Sequence, residues 1–432
     1  MENEEKKHHI VYLTNEFITD REYKHVGGLA TYLDNITSIM INKGHQVTVI
    51  VLSEKNEIFY YRETIRVILI KTKFQNEYVW LARRKSRKGA LFQYLFDLFL
   101  TFMALVNSLQ MYAALKKLLA KEPADIIHVA SCRAVGFFRT YKVPTVLRAS
   151  CDSAYWREAC FPDFDYDRTI FIKNWMDKAE LFCMRRADAA FAPSRCCANI
   201  LAKRAGRPFS VIESPFRQHV IQTDDSVYKE QLRGKKYLLF NSTLSMLKGT
   251  HLGIRVAGRI LEKYPDLYFV YAGTDNGIVP GQKAEDVLKE QSRRYQGRVI
   301  YLHKLDQEQL FPVIENSFAC VLPSRIDNLP NSCIEAMALE KVVIGTYGAS
   351  FEQLIKNKEN GLLIQRDSVN ALANAIDYLM QLTEWERLEM GRKAKKAIAR
   401  LDPDIIYIQL MEYYETVMED FKQKGNRRYS LK

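Results

Sequence analysis

Residues 321–346, V-L-P-S-R-I-D-N-L-P-N-S-C-I-E-A-M-A-L-E-K-V-V-I-G-T, read as strand, loop, helix and strand. Residues 318–322 form a short apolar run, the pattern of a strand covered on both faces. Pro323 and Ser324 stop that run. The D-N-L-P-N stretch then keeps the chain out of a helix until about Asn331, because a residue ahead of proline is pushed from the α region. Residues 332–339 suit a helix, and 341–345 return as a second buried strand. Ligands of open α/β sheets sit beyond the carboxyl ends of the strands, where helix N-termini favour anions. Asp327 is therefore expected in that loop and Glu335 on the second helical turn, both close to one bound ligand.

Outward from this stretch the same alternation continues in both directions. Strands are expected at 10–13, 47–52, 65–70, 126–129, 145–147, 189–192 and 210–212, then at 237–240, 268–271, 299–302, 318–322 and 342–345. Helices fill the gaps, the clearest at 29–42 (ended by Gly44), 171–186 and 195–203. Strands alternating with helices in both halves predict an α/β chain with two parallel, doubly wound sheets. Residues 214–234 are polar without a strong period and make the best linker. Residues 405–422 form a long amphipathic helix.

Length and composition agree. The 432 residues suggest two to three domains on a scale of ~150 residues each. Lys and Arg outnumber Asp and Glu by 63 to 51, a net charge of +12 that favours anionic partners without naming one. No nucleic-acid motif is present: neither a ribonucleoprotein sheet signature, nor finger spacing, nor an arginine-rich arm. The 8 cysteines form no C-x-x-C pair, so reduced, buried thiols in a cytoplasmic protein are expected. The opening M-E-N-E-E-K-K-H-H runs directly into the first strand and is not expected to be a signal peptide.

The 321–346 stretch resembles the nucleotide-sugar-binding signature of GT-B glycosyltransferases, the retaining family 4 type with its E-x7-E motif. This chain reads D-x7-E, with Asp327 in place of the first glutamate and Glu335 as the second. The resemblance implies two Rossmann-like doubly wound domains facing across a cleft, without a metal or other cofactor. It places Glu335 on the ribose hydroxyls and Asp327 beside the transferred sugar, with Asn328, Leu329 and Asn331 among the donor contacts. An ionised carboxylate can accept two hydrogen bonds from a diol, which gives the assignment its physical sense. The last helix is expected to cross back onto the first domain. The division is then 1–216 on the acceptor side, 217–400 on the donor side, and 401–432 as the returning helix.

Further features fit the same site. Lys248, in F-N-S-T-L-S-M-L-K-G-T-H, follows a strand and precedes a helix, where it would offset charge on a departing diphosphate. Relatives read G-R-x4-K-G in that loop; this chain has Thr243 in the arginine position, and Arg325 is a candidate for the missing charge. Gly27 and Gly28 lie at a strand-to-helix turn, where paired glycines let backbone amides approach a phosphate. Arg148, Ser150 and Asp152 are candidate sugar or acceptor contacts, although the histidine of many relatives near Ser150 is missing. His303 matches a loop whose backbone reads the nucleobase in relatives. Asp163, Asp165 and Asp167 form D-x-D triplets, but they precede a helix, and Asp167 reads as its N-cap rather than a metal ligand.

Residues 81–120 pose a membrane question. The basic R-R-K-S-R-K at 83–88 leads into an apolar run interrupted by Gln93, Asp97 and Asn107, which argues against a spanning helix. Either it is a core helix of the first domain, or an interfacial helix drawn to the anionic inner face of a membrane. The function expected from all this is transfer of a sugar from a nucleotide-sugar donor to a glycan or lipid-linked acceptor, with closure of the domains excluding water. A sugar-nucleotide epimerase and a catalytically inactive carbohydrate-binding scaffold are the alternatives.

Overall fold

The computed structural model describes residues 6–18, 28–74, 90–149, 175–217, 223–278 and 282–430. Its contacts divide the chain into two units, Met1–Pro215 with Pro403–Lys432, and Phe216–Asp402.

The first unit contains β1 (His9–Thr14), β2 (Gln46–Ser53), β3 (Glu57–Tyr61), β4 (Ile65–Lys71), β5 (Ile126–Ala130), β6 (Thr145–Arg148), β7 (Ala189–Ala192) and β8 (Ser210–Val211). They lie in the order β3-β4-β2-β1-β5-β6-β7-β8. Around them pack α1 (Gly28–Asn42), α2 (Ala90–Leu119), α3 (Trp175–Arg186) and α4 (Arg195–Ala205). Ile10 of β1 sits opposite Val47 on one side and Ile126 on the other, both in parallel register. Alternation along the strand sends Ile10 and Tyr12 to the face carrying α1, and Val11 and Leu13 to the face carrying α2. The sheet is mixed rather than wholly parallel, because β3 pairs antiparallel with β4 at the edge. Ile58 and Tyr60 of β3 point to solvent, so this edge strand lacks the buried pattern by which the others are read.

The second unit contains β9 (Lys236–Asn241), β10 (Leu267–Ala272), β11 (Val299–Tyr301), β12 (Ala319–Leu322), β13 (Val343–Thr346) and β14 (Leu362–Ile364). Their order is β11-β10-β9-β12-β13-β14, and every pairing is parallel. Its helices are α5 (Thr250–Lys263), α6 (Ala284–Arg294), α7 (Gln307–Glu315), α8 (Asn331–Ala338), α9 (Val369–Gln381) and α10 (Glu384–Ile398). Leu238 and Phe240 pack beneath α5, α6 and α9, while Tyr237 and Leu239 face α7, α8 and α10. The three-residue β14 is too short to stand out in sequence. The stretch expected to be linker holds a helical turn, Tyr228–Leu232, whose Leu232 joins the core of this unit.

The final helix, α11 (Pro403–Ser430), belongs to the first unit. Ile406, Tyr407, Leu410 and Tyr414 enter the core alongside α1. Two buried hydrogen bonds fix its position: Tyr407 Oη to His45 Nε2 at 2.9 Å and Tyr414 Oη to His128 Nδ1 at 2.5 Å. Burial pushes the His128 imidazole down to about 3, so it stays neutral at ordinary pH. The helix expected over 171–186 is described from Trp175; its start, the basic run at 83–88 and the aspartates of the D-x-D triplets lie outside the described residues.

Candidate active site

The second sheet changes winding direction between β9 and β12. From β9 the chain passes through α5 to β10 on one side; from β12 it passes through α8 to β13 on the other. Beyond the carboxyl ends of such a strand pair lies the usual ligand position of an open α/β sheet. The loops leaving these two strands carry Lys248 and Asp327.

Those loops are fastened to each other. Arg325 N donates to Leu247 O at 2.8 Å, and Lys248 N to Ser245 Oγ at 3.2 Å. Gly249 adopts φ +73°, and a Cβ there would come within 2.0 Å of Pro323 O. Only glycine lets the two backbones approach so closely. Lys248 Nζ then reaches Asp327 Oδ2 at 2.5 Å, with both side chains largely buried. A third loop supports the carboxylate, since Ser350 Oγ donates to the Asp327 carbonyl at 2.8 Å. Ser350 holds a left-handed backbone, φ +66°, to do so.

Glu335 lies on the second turn of α8. Its carboxylate has no hydrogen-bond or ion-pair partner among the described residues, and burial pushes its pKa from 4.5 up to about 7. A carboxyl in this position can accept hydrogen bonds from hydroxyl groups when ionised. Asn331 is the first residue of α8, whose N-terminus has no side-chain cap. Asn328 is partly exposed in the loop, its backbone N–H donating to Asp327 Oδ1 at 3.1 Å, whereas Leu329 is buried in the core below.

Beside this pair sits a second charge cluster that the sequence reading did not assemble. Arg325 Nε donates to Asp367 Oδ1 at 2.6 Å, and His251 Nε2 lies 3.5 Å from the same oxygen. Burial, then the Arg325 charge, lowers the His251 pKa. Asp367 follows β14, a strand missed in sequence, which is why its role was hidden. Asn241 and Thr346 end β9 and β13 with buried side-chain polar atoms that lack partners among the described residues. The visible sign of Asn241 is a polar residue closing an apolar strand.

The remaining candidates fall elsewhere. His303 adopts φ +58°, its carbonyl accepts from Gly273 N at 2.8 Å, and its ring packs 4.2 Å from that of Tyr301. Gly28 is exposed at the start of α1. Arg148 is buried in the first unit, with its guanidinium 3.6 Å from the Tyr32 ring centroid and Nη2 donating to Ser214 Oγ at 3.0 Å. Its charge is thus used internally. Gly27, Ser150 and Asp152 lie outside the described residues. Among the described residues no group of three or more His, Cys, Asp or Glu is placed to hold a metal ion.

Comparison with known proteins bears on the family and the fold. Residues 222–397 match the family glycosyl transferases group 1, and residues 26–215 match glycosyltransferase family 4. A D-inositol 3-phosphate glycosyltransferase of Corynebacterium urealyticum is 23% identical over 185 residues, 42% of this chain and 43% of that protein. The match thus spans less than half the length of that curated relative. Among solved structures, sucrose-phosphate synthase from Thermosynechococcus elongatus superposes with a TM-score of 0.72 at 16% identity, covering 96% of this chain and 100% of its own. HepE of Anabaena, solved with UDP and glucose, gives 0.65 at 15% identity, covering 95% and 100%. Identities this low speak for the fold alone.

Proposed function

Since the chain belongs to the group 1 glycosyltransferases of the GT-B fold, we propose that it moves a sugar from a nucleotide-sugar donor to a glycan or lipid-linked acceptor. We place it on the cytoplasmic side of a membrane, in cell-surface polysaccharide synthesis, with the anomeric configuration of the sugar retained. The observation that carries the donor reading is the Lys248–Asp327 pair at the switch point of the second sheet, with Glu335 on the second turn of the helix that follows.

In this reading Glu335, ionised, accepts hydrogen bonds from the ribose diol. Lys248 Nζ and the uncapped amides at the start of α8 face the diphosphate. As the bond from the sugar to the phosphate oxygen breaks, negative charge grows on the diphosphate, and a fixed ammonium stabilises that state more than the ground state. Lys248 must then exchange Asp327 for phosphate oxygens, which leaves Asp327 to hold a hydroxyl of the transferred sugar. Arg325, oriented by Asp367, supplies the second positive charge in place of the arginine absent at Thr243.

Thermal-shift screening against a panel of nucleotide sugars identifies the donor, because a ligand of the folded state raises Tm by mass action. Product NMR with an acceptor then reports transfer and anomeric configuration. Donor converted to a stereoisomer without acceptor would make the chain an epimerase. A Glu335→Ala variant that folds and keeps full turnover would refute the site.

A further inference from the structure

α2 is 30 residues long, and residues 94–119 are apolar enough to cross a bilayer, yet most of that stretch is not buried. The buried part is one-sided. Phe96, Ala104, Met111, Leu115 and Leu118 are buried, the last three against Val11, Leu13, Ile50 and Ile127 of the sheet. At 3.6 residues per turn these lie on one side of the helix. Leu95, Leu98, Phe102 and Leu109, respectively 53, 41, 52 and 49% exposed, fall within an arc of roughly 60° on the opposite side. Their stripe is roughly 20 Å long at 1.5 Å per residue. A helix sewn to a sheet along one side cannot cross a membrane, and four large apolar side chains in one line exceed the ordinary scatter of a soluble surface.

The charge around this stripe selects the partner. Exposed Lys116, Lys117 and Lys121 close its carboxyl end. The neighbouring α3 carries an exposed line of its own at helical spacing: Trp175, Lys178, Phe182 and Arg185. Trp175 Nε1 donates to Tyr94 Oη of α2 at 3.2 Å, which ties the two helices together. The carboxylates of the two helices, Asp97, Asp177 and Glu180, are half-buried or buried with partners of their own, and Glu122, just past Lys121, is paired with Arg66. Bulky apolar groups interleaved with lysine and arginine, with a tryptophan among them, match the interface of an anionic bilayer.

We propose that the exposed face of α2, continued by α3, docks the first unit onto an anionic lipid surface, with Leu95, Leu98, Phe102 and Leu109 entering the headgroup boundary. This deepens the membrane part of the proposed function, but it stands on the surface alone and does not need the transfer chemistry.

The test is co-sedimentation of the full chain with vesicles of phosphatidylcholine alone or mixed with phosphatidylglycerol. The wild type is expected to pellet with the anionic vesicles and to lose binding as salt rises. Lys116→Glu/Lys117→Glu should lower partitioning by about fivefold or more per site. Leu98→Gln/Phe102→Gln/Leu109→Gln should abolish it at unchanged Tm, while the Tm rise given by a bound nucleotide sugar persists. Absence of wild-type binding to either vesicle, or undiminished binding by the triple glutamine variant, would overturn the proposal. So would a dimer in sedimentation velocity that the triple variant dissolves while vesicles recruit neither protein, since the face would then bind a second copy. Loss of the nucleotide-sugar response with vesicle binding intact would count against the donor site alone.

Discussion

Lys248 Nζ and Asp327 Oδ2 lie 2.5 Å apart although their residues are 79 positions apart in sequence. They meet because β9 and β12 are neighbours at the switch point and because Gly249 lets one loop lie against Pro323. In the proposed reaction Lys248 must leave this carboxylate to meet the departing diphosphate.

This pairing sets opposite expectations for binding and turnover. Asp327→Asn frees Lys248 and should tighten the nucleoside diphosphate product by about fivefold, the worth of a modest ion pair. Turnover should fall, because the sugar loses its carboxylate. Calorimetry beside steady-state kinetics checks both; unchanged product affinity would show that Lys248 does not change partners.

On the proposed mechanism, Lys248→Met removes the charge that meets the departing diphosphate. A loss in kcat on the order of 100- to 1,000-fold is expected, the usual effect of deleting one such donor. Tm should fall by little beside the loss in kcat, because Asp327 keeps its bond from Asn328 N when this largely buried pair is broken. A matched fall in kcat and Tm would make Lys248 structural instead.

Glu335 makes stability depend on pH. Its folded pKa, about 7, exceeds the ordinary 4.5, so the folded state holds the proton more tightly than the unfolded chain. The stability this confers is complete below pH 4.5 and is lost as pH rises through about 7. The whole change is about 3 kcal/mol, from roughly 1.4 kcal/mol per pH unit of displacement. Glu335→Gln should therefore gain Tm relative to wild type as pH is raised, while its donor KM increases on the order of tenfold or more. Parallel Tm curves for the two proteins between pH 5 and pH 8 would exclude the burial effect.

Gly249→Ala puts a methyl group 2.0 Å from the Pro323 carbonyl at a backbone angle of φ +73°. The two loops must separate, so both Tm and donor binding should drop. Ser350, in the loop after β13, offers a milder probe. Ser350→Gly relieves its positive φ but removes the bond to Asp327 O, so turnover should fall with little change in Tm. Kinetics and calorimetry of the two variants together separate loop strain from carboxylate positioning.

Tyr414→Phe tests the anchorage of the final helix. It leaves His128 Nδ1 buried without a partner, at a cost of about 1–3 kcal/mol. Chemical denaturation should show that loss, with nucleotide-sugar binding by the second unit unaltered.

The sequence by itself determined the parallel strands of the two α/β sheets, because strands covered on both faces need unbroken apolar runs, and these appear at Val47, Ile126, Tyr237 and Val321 alike. It also placed Asp327, Glu335 and Lys248 on strand–loop–helix units, while their reading as donor-site residues came from the family resemblance. Edge strand β3 and three-residue β14 escaped it: the one shows half its side chains to water, and the other is shorter than any period. Only the tertiary structure decided which charges meet. The Lys248–Asp327 pair and the Arg325–Asp367–His251 cluster each join loops from different strands, and their contact depends on strand order, which no local pattern encodes. The same holds for α2, whose uniform apolarity concealed which side packs on the sheet. Burial against Val11 and Ile127 fixed that side, and so left the line from Leu95 to Leu109 facing outward.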